Sequence, residues 1–214
     1  MTTGPWDVHD LSEEDAVERI DFLGLQVPGQ GMEVRVDFME GQVTSVTLVF
    51  GQDAIQLGAY AAPKSSGIWD EVRSEIAQSI KQQGGSAEET DGPFGRELRA
   101  QIPVEAPGQQ RGLQPARFIA VDGPRWFLRG LITGPAATDQ SRARRLEDAF
   151  RKVVVVRGTD AMAPRDQLPL RVPRDMLKAA ASQLPPELVA SQEAQHQLED
   201  FNPFERGPEI TEIR

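Results

Sequence analysis

The 214-residue chain contains no cysteine and only two histidines. The lack of cysteine excludes disulfides, thiolate metal sites and a cysteine nucleophile, and it is typical of a reducing compartment. His9 lies in an acidic N-terminal stretch and His196 lies near the C-terminus, so we expect neither in a preorganised core site. A Ser-His-Asp site and a histidine-based metal site are therefore disfavoured.

The chain also lacks a long apolar run. No stretch approaches the roughly 18 to 20 apolar residues that a membrane span requires. The N-terminal region is acidic, unlike the basic start and apolar middle of a signal peptide; its carboxylates are Asp7, Asp10, Glu13, Glu14, Asp15 and Glu18. We therefore expect a cytoplasmic protein without membrane contact.

The common catalytic and nucleotide-binding motifs are absent as well: the sequence contains no GxSxG, Walker A, GxGxxG or HExxH pattern. Pro28-Gly29-Gln30-Gly31 joins two predicted strands and opens no helix, which favours a hairpin turn over a phosphate loop. Glu88, Glu89 and Asp91 could hold a hard cation, but a solvated loop explains them more simply. We assign no catalytic, cofactor-binding or metal residues and expect no cofactor. The sequence favours a non-enzyme without deciding the point.

Charge is unevenly distributed along the chain. The net charge is −10, which disfavours indiscriminate binding to nucleic acid. Residues 94–157 nevertheless carry 12 basic and 6 acidic side chains. Either an acidic partner docks on this segment, or the acidic first half neutralises it within the fold.

Alternating apolar residues predict a series of strands. A four-stranded meander is expected over DFLGLQV, MEVRVDFM, VTSVTLVF and AIQLGAYA. Further strands are expected over SAEET, GRELRAQIPV, LQPARFIAV, PRWFLRGLITG and VVVV. Asp91-Gly92-Pro93 and Asp122-Gly123-Pro124 have the composition of turns.

Two segments have the helical period instead. IWDEVRSEIAQSI presents one apolar stripe, with Ser65 or Ser66 as its cap and Gly84-Gly85 as its end. A second helix is expected from Thr138 or Asp139 through Arg151, and DMLKAAASQL predicts a short third helix.

These elements predict an α+β fold: a largely antiparallel sheet of seven to nine strands with two main helices packed against it. We expect a flexible acidic arm over residues 1–20, a single domain over 21–157, a Pro-rich strap or linker over 158–175, and a mostly disordered tail over 176–214.

DGPRWFLRG, residues 122 to 130, is the candidate interaction segment. Alternation along the strand places Trp126 on a core face and Arg125, Phe127 and Arg129 on a wet face. With the arginines of neighbouring strands, the predicted interaction residues are Arg99, Arg117, Arg125, Phe127 and Arg129.

Several long motifs resemble one known family, the actinobacterial proteins grouped as domain of unknown function 3710. They run from about Gly4 to Pro173: GPWD, IWDEVRSEIAQSI, DGPFGRELRAQIPV, QPARFIAVDGPRWFLRG, FRKVVVVRG and APRDQLPLRVP. The resemblance implies an intracellular bacterial protein and carries no catalytic residues to this chain. By analogy alone, the order of elements is similar to PsbP-like sandwiches, many of which bind proteins.

Three hypotheses follow for the function. The first is a non-catalytic protein-interaction or adaptor module with an unidentified partner, which also leaves room for self-association through a sheet edge. The second is a small-molecule-binding protein or enzyme that holds an acidic or phosphorylated ligand in an Arg-lined site. The third is a nucleic-acid accessory factor, which the acidic composition makes the weakest.

Overall fold

The computed structural model describes residues 4–11, 17–104 and 112–180, together with 187, 189, 190 and 192. Over these residues the chain forms a mixed α+β fold with two β-sheets and three α-helices. The α+β class is thus confirmed. The predicted antiparallel sheet of seven to nine strands is present with seven, and the structure adds a second, smaller sheet that the sequence did not predict.

The larger sheet is antiparallel throughout and has seven strands. They are β4 (Glu33–Met39), β5 (Gln42–Phe50), β6 (Asp53–Ala61), β7 (Ser86–Gly92), β8 (Gly95–Val104), β9 (Gly112–Gly123) and β10 (Trp126–Thr133). The order across the sheet is β4-β5-β6-β10-β9-β8-β7. Two antiparallel meanders, β4–β5–β6 and β7–β8–β9–β10, therefore meet where β6 pairs with β10.

The smaller sheet collects four short strands from distant parts of the chain. They are β1 (Trp6–Asp7), β2 (Arg19–Asp21), β3 (Leu25–Pro28) and β11 (Val154–Val155), in the order β1-β11-β3-β2. β1 and β11 pair in parallel, and the other pairs are antiparallel. The predicted four-stranded meander is therefore a three-stranded one, β4–β5–β6, and parts of the predicted arm are strands of the smaller sheet.

Two longer helices cover opposite faces of the larger sheet. α1 (Trp69–Gln82) packs on β7, β8 and β9, and α2 (Gln140–Arg151) packs near β6 and β10. α3 (Arg174–Ala180) is the short helix expected after the strap. Two 3₁₀ turns, Val8–Asp10 and Pro135–Ala137, complete the described secondary structure.

Alternate side chains of β10 contribute to two separate cores. Trp126 and Leu128 point into the larger core, which α2 and the smaller sheet close. Phe127 points into the other core, where Trp69 of α1 and Phe118 of β9 also lie. Both faces of the centre of the sheet are therefore buried, and the expectation that the Phe127 face is wet is wrong at this position.

The start of α1 is held by a residue from another strand. Asp122 accepts hydrogen bonds from the backbone N–H groups of Ile68 (2.9 Å) and Trp69 (3.3 Å). The serine cap expected from the sequence is wrong, since the helix begins after Ile68 and has no side-chain cap of its own. α2, in contrast, is capped by Asp139, one of the two residues at which the helix was expected to begin.

The segment after Arg157 lies along the end of β6. The backbone N–H of Ala61 donates to Asp166, and that of Leu168 donates to Ala59. This segment therefore extends the ladder of β6 where β5 has diverged. It covers neither outer edge strand of the larger sheet in the described part of the chain.

In the described residues, no helix is long and apolar enough to cross a membrane. Of the tail expected over residues 176–214, residues 176–180 belong to α3, and the rest falls almost wholly outside the described residues. The likeness to PsbP-like sandwiches and the flexibility of the arm and tail stay predictions.

Candidate functional site

Arg117 is a buried structural cation. Its side chain is 1% exposed and contacts two glutamates, with 2.7 Å from Nη2 to Glu97 Oε2 and 2.7 Å from Nη1 to Glu147 Oε1. Burial by itself lowers the pKa of Arg117, but the hydrogen bonds that it donates to both carboxylates outweigh that effect and raise the pKa. This arginine ties β8, β9 and α2 together and leaves no free group for a ligand.

Arg99 and Arg125 also lie away from a shared surface. Arg99 Nε donates to Glu97 at 3.1 Å beside the buried Arg117 cluster. Arg125 occupies a positive φ of 64° in the β9–β10 turn and donates to the Gly158 carbonyl at 3.0 Å. Both arginines have local structural partners.

The register of the sheet explains why the five predicted interaction residues form no single surface. Arg117 pairs with Ile132 across β9–β10, and Arg99 pairs with Arg117 across β8–β9. Paired residues share a face, and Arg129 lies an odd number of positions from Ile132, so it points to the opposite side. The sheet therefore separates Arg99 and Arg117 on one face from Arg129 on the other.

Arg129 instead lies in a groove between α1 and the larger sheet, which we call the α1 groove. The cavity measures about 270 Å³. Its lining residues come from β6, α1 and the residue just before it, β10 and the strap: Tyr60, Ile68, Val72, Glu75, Ile76, Phe127, Arg129 and Arg165. Of the predicted interaction residues, Phe127 and Arg129 are brought together here.

The floor of the groove is aromatic. Phe127 is 2% exposed and stacks on Trp69 with ring centroids 5.8 Å apart. Tyr60 tilts against Phe127 at 5.9 Å between centroids and is half-buried. Val72 and Ile76 of α1 form an apolar wall above them.

Gly58 makes room for Tyr60. A Cβ built on Gly58 would lie 2.7 Å from the Tyr60 hydroxyl and 3.0 Å from its ring, so a larger residue would displace the phenol. Gly58 and Arg129 are directly opposed in the β6–β10 ladder. The missing side chain therefore lets the Tyr60 ring lie back beside Arg129.

Among the described residues that line this groove, Arg129 is the cation without a carboxylate partner. Its guanidinium lies over Tyr60, with 5.5 Å from Cζ to the ring centroid and 3.2 Å from Nη2 to the hydroxyl. Within the described ranges no carboxylate pairs with it. A half-buried guanidinium with only a phenol as partner keeps donors available for an anionic group.

An ion pair closes one end of the groove. Arg165 of the strap contacts Glu75 through two hydrogen bonds of 3.1 and 3.0 Å and Glu71 at 2.9 Å. Hydrogen bonding to Glu75, and then to Glu71, raises the pKa of Arg165. The strap thus fixes the outer wall of the groove, and Arg129 takes no part in this ion pair.

Sequence reasoning missed Tyr60 and Arg165. Alternation along AIQLGAYA places Gln56, Gly58 and Tyr60 on one face, which was the available signal for the tyrosine. Arg165 gave no signal, because its position depends on how the strap crosses the end of β6.

The site offers binding groups without an evident set of reagents. Among the described residues no three His, Cys, Asp or Glu side chains lie together in a way that could hold a metal ion. Glu75, the acid that lines the groove, is engaged by Arg165. The geometry is that of an α+β protein with a small cationic, aromatic groove between α1 and the larger sheet.

The comparison with protein families agrees with this description. Residues 4–179 match the model of the family described as Protein of unknown function (DUF3710), and the chain belongs to that family. The resemblance found in the sequence motifs is thereby confirmed. No curated protein matches the chain.

Proposed function

We propose that the protein is a non-catalytic, intracellular protein-interaction module that holds a peptide segment of its partner in the α1 groove. In this proposal an apolar side chain of the peptide packs on Val72 and Ile76, and a neighbouring carboxylate binds Arg129. The cysteine-free sequence supports a cytoplasmic setting.

One observation carries the proposal: Arg129 lies half-buried in an aromatic groove with no carboxylate partner among the described residues. Arg165, which also lines the groove, and Arg73 of α1 are both ion-paired. A carboxylate placed on Arg129 would form charge-assisted hydrogen bonds in a partly desolvated site, where they are strongest.

The size of the groove favours a peptide over a free metabolite. Small-molecule sites commonly enclose about 300 to 1,000 Å³. A cavity of about 270 Å³ that is open along α1 accepts one or two side chains of a longer ligand. Most of the binding surface would then lie along the groove rather than inside it.

The two alternatives find less support. An Arg-lined site for an acidic or phosphorylated small molecule would need several of the predicted arginines together, but Arg99 and Arg129 line separate cavities. Base stacking needs exposed aromatic faces, whereas Phe127 is buried and Tyr60 is already covered by Arg129.

The test is selection from a random peptide library on the immobilised full-length protein. We expect enriched peptides to carry Asp or Glu within one or two positions of an aliphatic or aromatic residue. Arg129→Gln should weaken binding of a selected peptide about tenfold or more, because a charge-assisted hydrogen bond contributes about 1.5–3 kcal/mol.

Arg144→Gln is the matched control. Arg144 is exposed on α2, far from the groove, and the substitution removes the same charge. It should leave peptide affinity unchanged. Selection of no peptide, or equal binding by the wild-type and Arg129→Gln proteins, would contradict the proposal.

A further inference from the structure

The outer edge of β4 is open. β4 ends the strand order of the larger sheet, and no backbone group from residues 4–11, 17–104 or 112–180 pairs with its outer side. Seven consecutive residues therefore present unpaired N–H and C=O groups on alternate positions. Such an edge is a template for another strand.

β4 is also regular along its whole length. The ladder between β4 and β5 shifts register once, where Asp37 pairs with Ser45 and Phe38 pairs with Val43. The extra residue, Thr44, therefore lies in β5, while β4 keeps its alternation. A bulge within β4 would have bent the edge away from a partner, and none is present.

The charges of β4 are complementary to themselves. Glu33, Arg35 and Asp37 lie on one face, and Val34, Val36 and Phe38 lie on the other. If a second β4 pairs antiparallel with Val36 opposite Val36, all seven residues align. Arg35 of each copy then lies opposite Asp37 of the other, and Val34 lies opposite Phe38.

A shift of the register that places Arg35 at the centre replaces the attractive charge pairs by repulsive ones. With Arg35 at the centre, arginine faces arginine and Glu33 faces Asp37, which are both repulsive pairs. The sequence of β4 thus distinguishes registers by charge. The complete overlap of seven residues occurs only in the register centred on Val36.

The opposite edge of the sheet lacks this property. β7 carries Glu88, Glu89 and Asp91, so two copies of β7 would bring like charges together. Acidic residues on an edge strand are a common protection against pairing. The contrast between the two edges indicates that β4 is the one suited to a second copy.

We propose that two copies of this chain form a symmetric dimer through antiparallel pairing of their β4 strands, with Val36 at the two-fold axis. The interface is isologous, since the same strand contributes both halves. The two larger sheets join into one continuous sheet. Because paired residues share a face, both α1 grooves open on the same side of the dimer.

The first test uses sedimentation of the full-length protein. We expect a dimer, and we expect Arg35→Asp and Asp37→Arg each to weaken it at least about tenfold, because each creates two like-charged cross-strand pairs. In an equal mixture, a mixed dimer contains one chain of each variant. The carboxylates at positions 35 and 37 of the Arg35→Asp chain then lie opposite the guanidinium groups at positions 37 and 35 of the Asp37→Arg chain. The mixture should therefore dimerise while each variant alone stays monomeric.

A second measurement covers the case in which Asp37→Arg disturbs the fold through its contacts with Ser45 and Gln56. The chain has no cysteine, so Val36→Cys introduces a unique thiol. A short bismaleimide should link two Val36→Cys chains efficiently, and Ser86→Cys on β7 should give little product. A monomeric wild type, a dimer that tolerates Arg35→Asp, or equal cross-linking at both positions would overturn the proposal.

Discussion

Removing the buried cation of the Glu97–Arg117–Glu147 cluster should strongly destabilise the protein. All three side chains are at most 4% exposed, and Arg117 contacts both carboxylates at 2.7 Å. Arg117→Leu keeps an apolar stem but leaves two carboxylates without their shared counter-ion. Loss of one partner of a buried ion pair typically costs about 3–5 kcal/mol.

The contacts that remain set the expected size within that range. Glu97 still accepts a hydrogen bond from Arg99, and Glu147 still accepts one from Gln140 at 2.9 Å. We therefore expect a loss of about 3 kcal/mol, at the lower end of the range for a broken buried pair. In a chain of this size the melting temperature should fall by about 2–4 °C for each kcal/mol.

Urea unfolding at pH 7 measures the loss, and two variants make the test specific. Arg144→Leu removes an exposed arginine of α2 and should change the free energy of unfolding by less than about 0.5 kcal/mol. Adding Glu97→Met and Glu147→Met to Arg117→Leu should recover most of the loss, because an apolar cluster carries no desolvation cost. If Arg117→Leu and Arg144→Leu unfold at the same urea concentration, the structural role assigned to Arg117 is wrong.

Three further substitutions test other parts of the structure. Asp122→Ala removes the acceptor at the start of α1 and should cost about 1 kcal/mol in urea unfolding, with Asp160→Ala as the surface control. Trp126→Phe leaves the buried Asp7 without its 2.6 Å indole donor and should cost about 2–3 kcal/mol; an unchanged midpoint would contradict this. Burial raises the pKa of Asp37, but hydrogen bonds from Ser45, Gln56 and Thr47 outweigh burial and lower the pKa below its ordinary value. The stabilisation that the Asp37 carboxylate provides is therefore present above the ordinary carboxyl pKa and is lost as pH falls through the lowered pKa. Asp37→Asn should therefore destabilise the protein at pH 7 and have little effect at a pH below the lowered pKa, as unfolding measured under both conditions would show.

The local elements of this fold could be predicted because their signals are local. α2 ends at Arg151 as expected and begins within two residues of its predicted start at Thr138 or Asp139. The Asp139 side chain caps it by accepting a hydrogen bond from the backbone N–H of Ser141. The hairpin strands β7–β8 and β9–β10 were also found. Gly and Pro at their turns interrupt the apolar alternation, and that signal requires no knowledge of distant residues.

The smaller sheet could not be predicted in the same way. β1 and β11 are two residues each, and they pair in parallel although almost the whole domain separates them in sequence. Neither segment is long enough to show a strand period. Their pairing depends on the way the larger core closes, which no local sequence pattern shows. The N-terminal stretch was therefore expected to be a free arm.

For the candidate site, the sequence determined composition and alternation, and the tertiary structure decided which faces are covered. The short run of side chains around Trp126 correctly indicated that Arg129 and Phe127 share a face, because alternation along a strand is a local property. Only the packing of α1 buries Phe127, and only the sheet register sends Arg117 to the opposite core beside two glutamates. The strap adds Arg165 to the groove from a distant part of the chain. Contacts between distant segments depend on how the layers stack, and that information is absent from any single stretch of sequence.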